Sequence, residues 1–396
     1  MIAQRPPMGW NTWNTFGGEI SEQLIRETAD TMANEGFLEA GYEYLVIDDC
    51  WSERQRDEHG RLVPDHAKFP NGMRAVADYV HSKGLKFGMY SCAGVQTCAG
   101  YPGSYDHEFQ DAATFAEWGV DFLKYDFCYF PDNAECIMRY HTMSMALKAT
   151  GREILFSACN WGQKEPWKWM KSIGAHMYRS TGDIMDNFVS FTDIVKSQLE
   201  NFCASGPACF NDIDMLTVGM YNKGNVAFGK PCTDSEYKIQ FSLWCLLGAP
   251  LMIGSDIRNL TKESRELLLN PELIKINQDP ECRPPFLGRK APITISNPDP
   301  KPGESQWVQV PDMAYTFIKH LTNNEFIIAY YNLYENESDI NCIFADIGLP
   351  YTSGYGFEMT DILTGEALGV KSDYYTVHLE AHDCKLVRCK LVHLHE

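Results

Sequence analysis

The sequence predicts an α/β chain: a (β/α)8 barrel of the TIM type over residues 1–280, then an antiparallel β-sandwich over 281–396. Three observations predict it. From Pro7 to about Asp256, short apolar runs that end in polar or charged residues alternate with amphipathic segments, the pattern of parallel strands joined by crossover helices. The chain has 396 residues, too long for one typical domain, and a barrel of about 250 residues leaves room for a smaller module. Past Pro280 the alternation stops, and short β-rich runs separated by turns take over.

The expected barrel strands, in order, are Met8-Gly9-Trp10, Tyr44-Leu45-Val46-Ile47, Lys86-Phe87-Gly88-Met89-Tyr90, Val120-Asp121-Phe122-Leu123, Ile154-Leu155-Phe156-Ser157, His176-Met177-Tyr178, Cys209-Phe210 and Pro250-Leu251-Met252-Ile253. The segments between them carry helix signals. Met73, Val76, Ala77 and Val80 recur on one helical face, and Gly84 follows as a stop. Thr233 and Glu236 have the spacing of a capping box ahead of Phe241-Ser242-Leu243-Trp244. A doubly wound open sheet would also alternate; chain length and a polar residue at nearly every strand end favour closure. Asn297-Pro298-Asp299-Pro300-Lys301-Pro302-Gly303 is expected to be a loop. Tyr315–Ile318, Phe326–Tyr331, Thr376–Leu379 and Lys385–Arg388 are expected sandwich strands.

Composition excludes several classes of function. Lys+Arg 34 against Asp+Glu 53 gives a net charge of -19, and so acidic a surface repels nucleic-acid phosphates. A neutral small molecule or oligosaccharide is the expected partner, with no nucleic acid, no membrane and no cofactor; a homo-oligomer is compatible. The start, Met1 to Pro7, lacks the apolar stretch of a secretory signal, so the chain reads as cytoplasmic. The 14 cysteines form no CxxC pair and read mostly as small buried hydrophobes. GxGxxG, Walker and GxSxG motifs are absent, which argues against nucleotide and acyl-transfer chemistry.

In such a barrel, functional groups sit where strands meet their following loops. Those positions here are Trp10 to Trp13, Asp48 to Trp51, Tyr90 to Cys92, Lys124 to Asp126, Cys159 to Trp161, Arg179 to Asp183 and Asn211 to Asp214. They are rich in carboxylates and aromatics and hold no histidine cluster. That set suits sugars, since carboxylates accept from hydroxyls and indoles pack on the apolar face of a pyranose. Glycoside hydrolysis needs two carboxylates about one bond. Composition alone does not choose the pair among Asp48, Asp49, Asp126, Asp183, Asp212 and Asp214. Asp48 and Asp49 also read as helix caps, Asp183 as the structural ion-pair partner of Arg179, and Trp51 equally as core or site.

Seven blocks narrow the choice. Met8-Gly9-Trp10-Asn11-Thr12-Trp13, Ile47-Asp48-Asp49-Cys50-Trp51, Gly88-Met89-Tyr90-Ser91, Thr97 to Ser104, Leu123-Lys124-Tyr125-Asp126, Asn211-Asp212-Ile213-Asp214-Met215 and Ile276-Asn277-Gln278-Asp279-Pro280 look like the signature of glycoside hydrolase family 27. That family contains α-galactosidases and α-N-acetylgalactosaminidases. The blocks occur in family order and cover the barrel; the sandwich resembles the family's only loosely. The resemblance implies a retaining exo-glycosidase that removes terminal α-linked galactose. Asp126 matches the nucleophile, and Asp183 the acid/base. Trp13, Asp48, Asp49, Tyr90, Cys98, Lys124, Arg179, Asp214 and Met215 match sugar-binding positions. Asn160 stands where the family's galactosidases often have Glu, and with Gln163 it is expected to face the substituent at C2. Cys98 and Cys128 match a family disulfide, whereas the usual partners of Cys50 and Cys159 are missing. α-N-Acetylgalactosaminidase and β-L-arabinopyranosidase are the rival activities with the same mechanism. A sugar-binding barrel without turnover and a metal-dependent barrel hydrolase are the rivals of other classes.

Overall fold

The computed structural model describes residues 2–201, 204–296 and 299–394, with the side chains of 289–296 and 307–313 left aside. Eight parallel strands form one sheet: β1 (Met8–Asn11), β2 (Tyr44–Val46), β3 (Lys86–Cys92), β4 (Phe122–Asp126), β5 (Leu155–Cys159), β6 (Met177–Arg179), β7 (Phe210–Asp212) and β8 (Leu251–Ile253). Their order is β7-β6-β5-β4-β3-β2-β1-β8. The ring is completed by a parallel bridge between Leu216, just past β7, and Ile253 in β8, where the Leu216 amide donates to the Met252 carbonyl at 2.8 Å. The alternation read from the sequence is therefore a closed barrel.

The local signals act as expected. The helix Gly72–Ser82 buries Met73, Val76, Ala77 and Val80, and Gly84 behind it takes φ +81, the left-handed conformation that favours glycine after a helix. Thr233 and Glu236 make a reciprocal capping box at the start of the helix Asp234–Leu247. One strand differs. The run Val120–Leu123 becomes β4, which continues to Asp126. It continues because Lys124 pairs in register with Tyr90, and Asp126 with Cys92, so the polar end of the run belongs to the ladder.

The C-terminal region has β9 (Phe286–Ser296), β10 (Trp307–His320), β11 (Glu325–Asn332), β12 (Ser338–Ile343), β13 (Tyr355–Asp361), β14 (Ala367–Lys371), β15 (Tyr374–Leu379) and β16 (Asp383–His393). Six of them form the antiparallel sheet β14-β13-β16-β11-β10-β9, and β12 pairs with β15 in a second layer. Ile328, Tyr330, Ile340, Phe344, Phe357, Val377 and Val387 fill the space between the layers, as a sandwich requires. Of the expected proline-rich loop, Asn297 and Pro298 lie outside the described residues; 299–303 is neither helix nor strand. No helix among the described residues is long and apolar enough to cross a membrane.

The helix Asp234–Leu247 packs against both parts. Its Trp244 indole donates to the Asp214 carbonyl at 2.8 Å on the barrel side, while Ser242 meets the Tyr331 hydroxyl at 3.1 Å on the sheet side. Lys319 of β10 reaches the end of this helix, donating to the carbonyls of Leu246 at 2.9 Å and Arg283 at 2.8 Å. Burial pushes its ammonium down to about 8, against the opposing pull of Asp279. In the unfolded chain a lysine titrates near 10.4. Between those two values the unfolded state holds more protons, so folding stability rises with pH through this window. Urea unfolding of the native chain and of Lys319→Met at pH 7 and pH 9.5 tests this. The native chain is expected to gain about 2 kcal/mol relative to the variant at the higher pH, and an unchanged difference would show that Lys319 is not held in this way.

Candidate active site

The site is built at the C-terminal ends of the strands, from three adjoining groups. The first lies on β2 and β4. Asp48 leaves the end of β2, and its Oδ2 accepts from Asn11 Nδ2 at 2.8 Å and Lys124 Nζ at 2.8 Å. Asp49 accepts from the Cys50 amide at 2.7 Å and the Ala99 amide at 2.9 Å. Cys50 stands at φ +69, so the chain turns sharply here and lets two consecutive carboxylates be used; strain of this kind collects at functional sites. Burial raises the Asp49 carboxyl, while the two amides oppose the rise. Burial also works against the charge of Lys124, and Asp48 and Asp126 together more than offset it, so the ammonium stays firmly protonated.

The second group surrounds Asp126. Lys124 and Asp126 alternate with Tyr125 along β4 and so share the face turned into the barrel. Asp126 is buried, at 6% exposure. Its Oδ2 accepts from the Tyr90 hydroxyl at 3.0 Å, and its Oδ1 from the Phe127 amide at 2.9 Å. Burial pushes its pKa up, with Lys124 and the Phe127 amide pulling the other way. Cys98 and Cys128 form the disulfide that the resemblance implies, with Cα atoms 5.0 Å apart. The Cys98 sulfur lies 3.6 Å from Asp126 Oδ2, so the bridge forms part of the wall beside this carboxylate. A Cβ at Gly94 would come within 1.9 Å of the Cys128 carbonyl oxygen, so only glycine lets the two loops approach this closely.

The third group is centred on Arg179 at the end of β6. Its Nη2 lies 2.7 Å from Asp183 Oδ1 and 2.8 Å from Asp214 Oδ2. Asp214 also accepts from the Ile184 amide at 2.8 Å and the Met215 amide at 2.8 Å. The Asp183 side chain is 68% exposed at the mouth. Its partial burial raises its pKa, but Arg179 outweighs this and holds the carboxyl below its ordinary range. Asp212 lies behind the pair and is pushed up to about 6, by burial first, with Arg179 opposing. Its Oδ1 accepts from the Asp214 amide at 2.9 Å, so it shapes the turn carrying Asp214.

These groups enclose one cavity of about 160 Å3, lined by Trp13, Asp48, Asp49, Tyr90, Cys98, Lys124, Asp126, Arg179, Asp183, Asp214 and Met215 among others. Nine of the eleven expected sugar-binding positions and both expected catalytic carboxylates thus meet in one place. A larger cavity of about 570 Å3 opens at the opposite end of the barrel, beside residues 2–8. There Lys86 is paired with Glu43, and Asp121 with His81 and Arg152. The smaller cavity holds the strand-end acids and is the site.

Two expected residues are not part of the lining. Asn160 is fully buried, and its Nδ2 donates to the Gln163 carbonyl at 2.5 Å; Gln163 itself is exposed. The expectation that this pair faces the sugar's C2 substituent is corrected. The cause is the backbone: Trp161 takes φ +56, which turns Asn160 into the wall and brings the Trp161 ring into the lining. That ring meets Phe127 edge-on, with centroids 5.9 Å apart. Trp51 resolves as core: its indole donates to the Tyr90 carbonyl at 2.9 Å, and its ring packs edge-on against Trp118.

Sequence reasoning missed Asn14, Ile184, Met185, Asn225 and Val226, which also line the cavity. Ile184 and Met185 follow Asp183 directly, and their closeness to it was the available signal. Asn225 and Val226 come from a loop after β7 that docks on β1's loop, both amides donating to the Asn14 carbonyl at 2.8 and 3.2 Å; no local pattern announces such a contact.

Residues 5–279 match the family described as alpha galactosidase A, and residues 314–389 match the alpha galactosidase C-terminal beta sandwich domain. An alpha-galactosidase of Cyamopsis tetragonoloba is 40% identical over 388 residues, covering 97% of this chain and 86% of that protein. An alpha-galactosidase of Coffea arabica is 48% identical over 275 residues, covering 69% of this chain and 70% of its own. The crystal structure of alpha-galactosidase I from Mortierella vinacea superposes with a TM-score of 0.87 at 31% identity, covering 98% of this chain and 97% of that one. With the barrel family spanning the catalytic part and relatives matching nearly end to end, the chain belongs to the melibiase family of α-galactosidases, glycoside hydrolase family 27.

Proposed function

We propose that this chain hydrolyses terminal α-linked galactose from oligosaccharides or glycoconjugates by double displacement with net retention. The observation that carries the mechanism is the unequal setting of its two carboxylates. Asp126 is deep, fixed by Tyr90 and the Phe127 amide, while Asp183 stands exposed at the rim of the same cavity. A nucleophile must be held still against the anomeric carbon, and a proton donor must reach the leaving group on the solvent side.

In the first step an Asp126 oxygen attacks the anomeric carbon. The bond to the leaving oxygen breaks as Asp183 delivers its proton there. A β-linked galactosyl ester and a free alcohol result. In the second step the Asp183 carboxylate takes a proton from water, whose oxygen attacks the anomeric carbon and expels Asp126. The products are α-galactose and the alcohol, and both carboxyls return to their starting states. Asp48, Asp49 and Lys124 are suited to the axial 4-hydroxyl and the 6-hydroxyl of galactose, because buried polar groups left unpaired would penalise another epimer. The small cavity, with Trp161 in its wall, favours a hydroxyl at C2 over a bulkier N-acetyl group.

Nitrophenyl α-galactoside, α-N-acetylgalactosaminide and β-L-arabinopyranoside assayed side by side test the substrate. The α-galactoside is expected to have the highest kcat/KM; preference for either of the others would overturn the assignment. Proton NMR of the fresh hydrolysate tests the stereochemistry, and release of β-galactose first would exclude retention.

A further inference from the structure

The geometry points to Asp186 as a positioning residue that sets the reach of Asp183. This inference rests on the acid/base reading of Asp183. Among the described residues the Asp183 side chain is anchored through Arg179, so its placement depends on the backbone that follows. That backbone is held by the Ile184 amide on Asp214 and the Met185 amide on Ser190, and Asp186 fixes its far end to the neighbouring loop. The Asp186 amide donates to the Val226 carbonyl at 3.0 Å. Its carboxylate is fully buried and accepts from the Asn222 amide at 2.5 Å and the Tyr237 hydroxyl at 2.8 Å. The Thr217 hydroxyl adds a further contact.

These partners come from three places. Asn222 and Val226 belong to the loop after β7, Thr217 to the stretch between β7 and those two residues, and Tyr237 to the helix Asp234–Leu247. Asp186 therefore joins the segment carrying Asp183, Ile184 and Met185 to the segment carrying Asn225 and Val226, and both segments line the cavity. No ion pair compensates the carboxylate among the described residues, and burial raises its pKa. A buried carboxylate without a cation is a poor source of stability. What it supplies is two acceptor oxygens at fixed points. Asparagine copies this only in part: with its Oδ1 on the Asn222 amide, its NH2 would have to donate to the Tyr237 hydroxyl, which already accepts from the Tyr221 amide at 2.7 Å and would lose its own acceptor.

The test separates proton delivery from bond cleavage. Asp186→Asn, Asp186→Ala and Tyr237→Phe are compared with the native enzyme on 2,4-dinitrophenyl α-galactoside, whose leaving group needs no proton, and on methyl α-galactoside, whose leaving group does. The Asp186 variants are expected to lose about 10- to 100-fold in kcat/KM on the methyl glycoside, at or below the lower end of the roughly 10^2- to 10^4-fold that general acid catalysis contributes, because the acid is displaced and not removed, and less than about 3-fold on the dinitrophenyl glycoside. Tyr237→Phe, which removes one of the hydrogen bonds, is expected to lose less, in the same sense, and remains informative if the Asp186 variants do not fold. Equal losses on both substrates, or no loss on the methyl glycoside, would overturn the inference. Failure of the functional reading looks different: the native enzyme would then hydrolyse neither substrate, or Asp183→Ala would itself show no dependence on the leaving group.

Discussion

Replacing Asp126 with glycine is expected to lower kcat on nitrophenyl α-galactoside by at least about 10^4-fold, since removing a covalent nucleophile removes the route through the glycosyl ester. The space vacated is walled by Tyr90 and the Cys98–Cys128 disulfide, and on the proposed mechanism it faces the anomeric carbon. Azide is small enough to enter it and attack from the same side. Part of the activity is therefore expected to return with azide, and the product should be β-galactosyl azide. The configuration is the informative part, because an α-azide would mean attack from the Asp183 side. Asp126→Asn is the stricter variant, as it keeps the volume and removes the charge. Near-native turnover of an activated substrate by Asp126→Asn would sink the nucleophile assignment.

What could be read in advance follows how local each cause is. The capping box at Thr233 and Glu236 and the apolar face of the helix Gly72–Ser82 are set within one or two turns, so spacing in the sequence reveals them. Asp126 and Lys124 were legible because strand ends in a barrel point at a common centre, and a resemblance spread over seven blocks could sort their roles. Asn160 and Gln163 were misplaced for a reason that spacing cannot contain. A tryptophan at positive φ is uncommon, and it reverses which residue of Asn160-Trp161 meets the cavity. Asn225 and Val226 were invisible for another reason, since they reach the site through bonds to Asn14 more than two hundred residues away in sequence. The disulfide lay between these extremes: two distant cysteines without a motif of their own, paired only by resemblance, whose loops are brought together by neighbouring strands β3 and β4.

Asp183→Ala is expected to lose about 10^2- to 10^4-fold in kcat/KM on methyl α-galactoside, and far less on the dinitrophenyl glycoside, as removal of a general acid requires. On the activated substrate the ester should form quickly and drain slowly, giving a burst of dinitrophenolate and a lowered KM. The pH profile carries more information. The proposed mechanism needs Asp126 ionised and Asp183 protonated, yet burial raises Asp126 and Arg179 lowers Asp183. With the nucleophile's pKa above the acid's, the working form is the minority arrangement of the singly protonated pair. The active fraction then rises with pH up to the lower value, stays level, and falls above the higher one. The acid limb of the native bell therefore reports Asp183, and the basic limb Asp126, as macroscopic values of a coupled pair. Removing Asp183 leaves only the demand that Asp126 be ionised. On the dinitrophenyl substrate, kcat/KM for Asp183→Ala is then expected to lose its basic limb, and its acid limb should move upward. An acid limb that stays where the native one lies would mean that Asp126 titrates below Asp183, and that the Arg179–Asp183 pair does not set the proton order of the free enzyme.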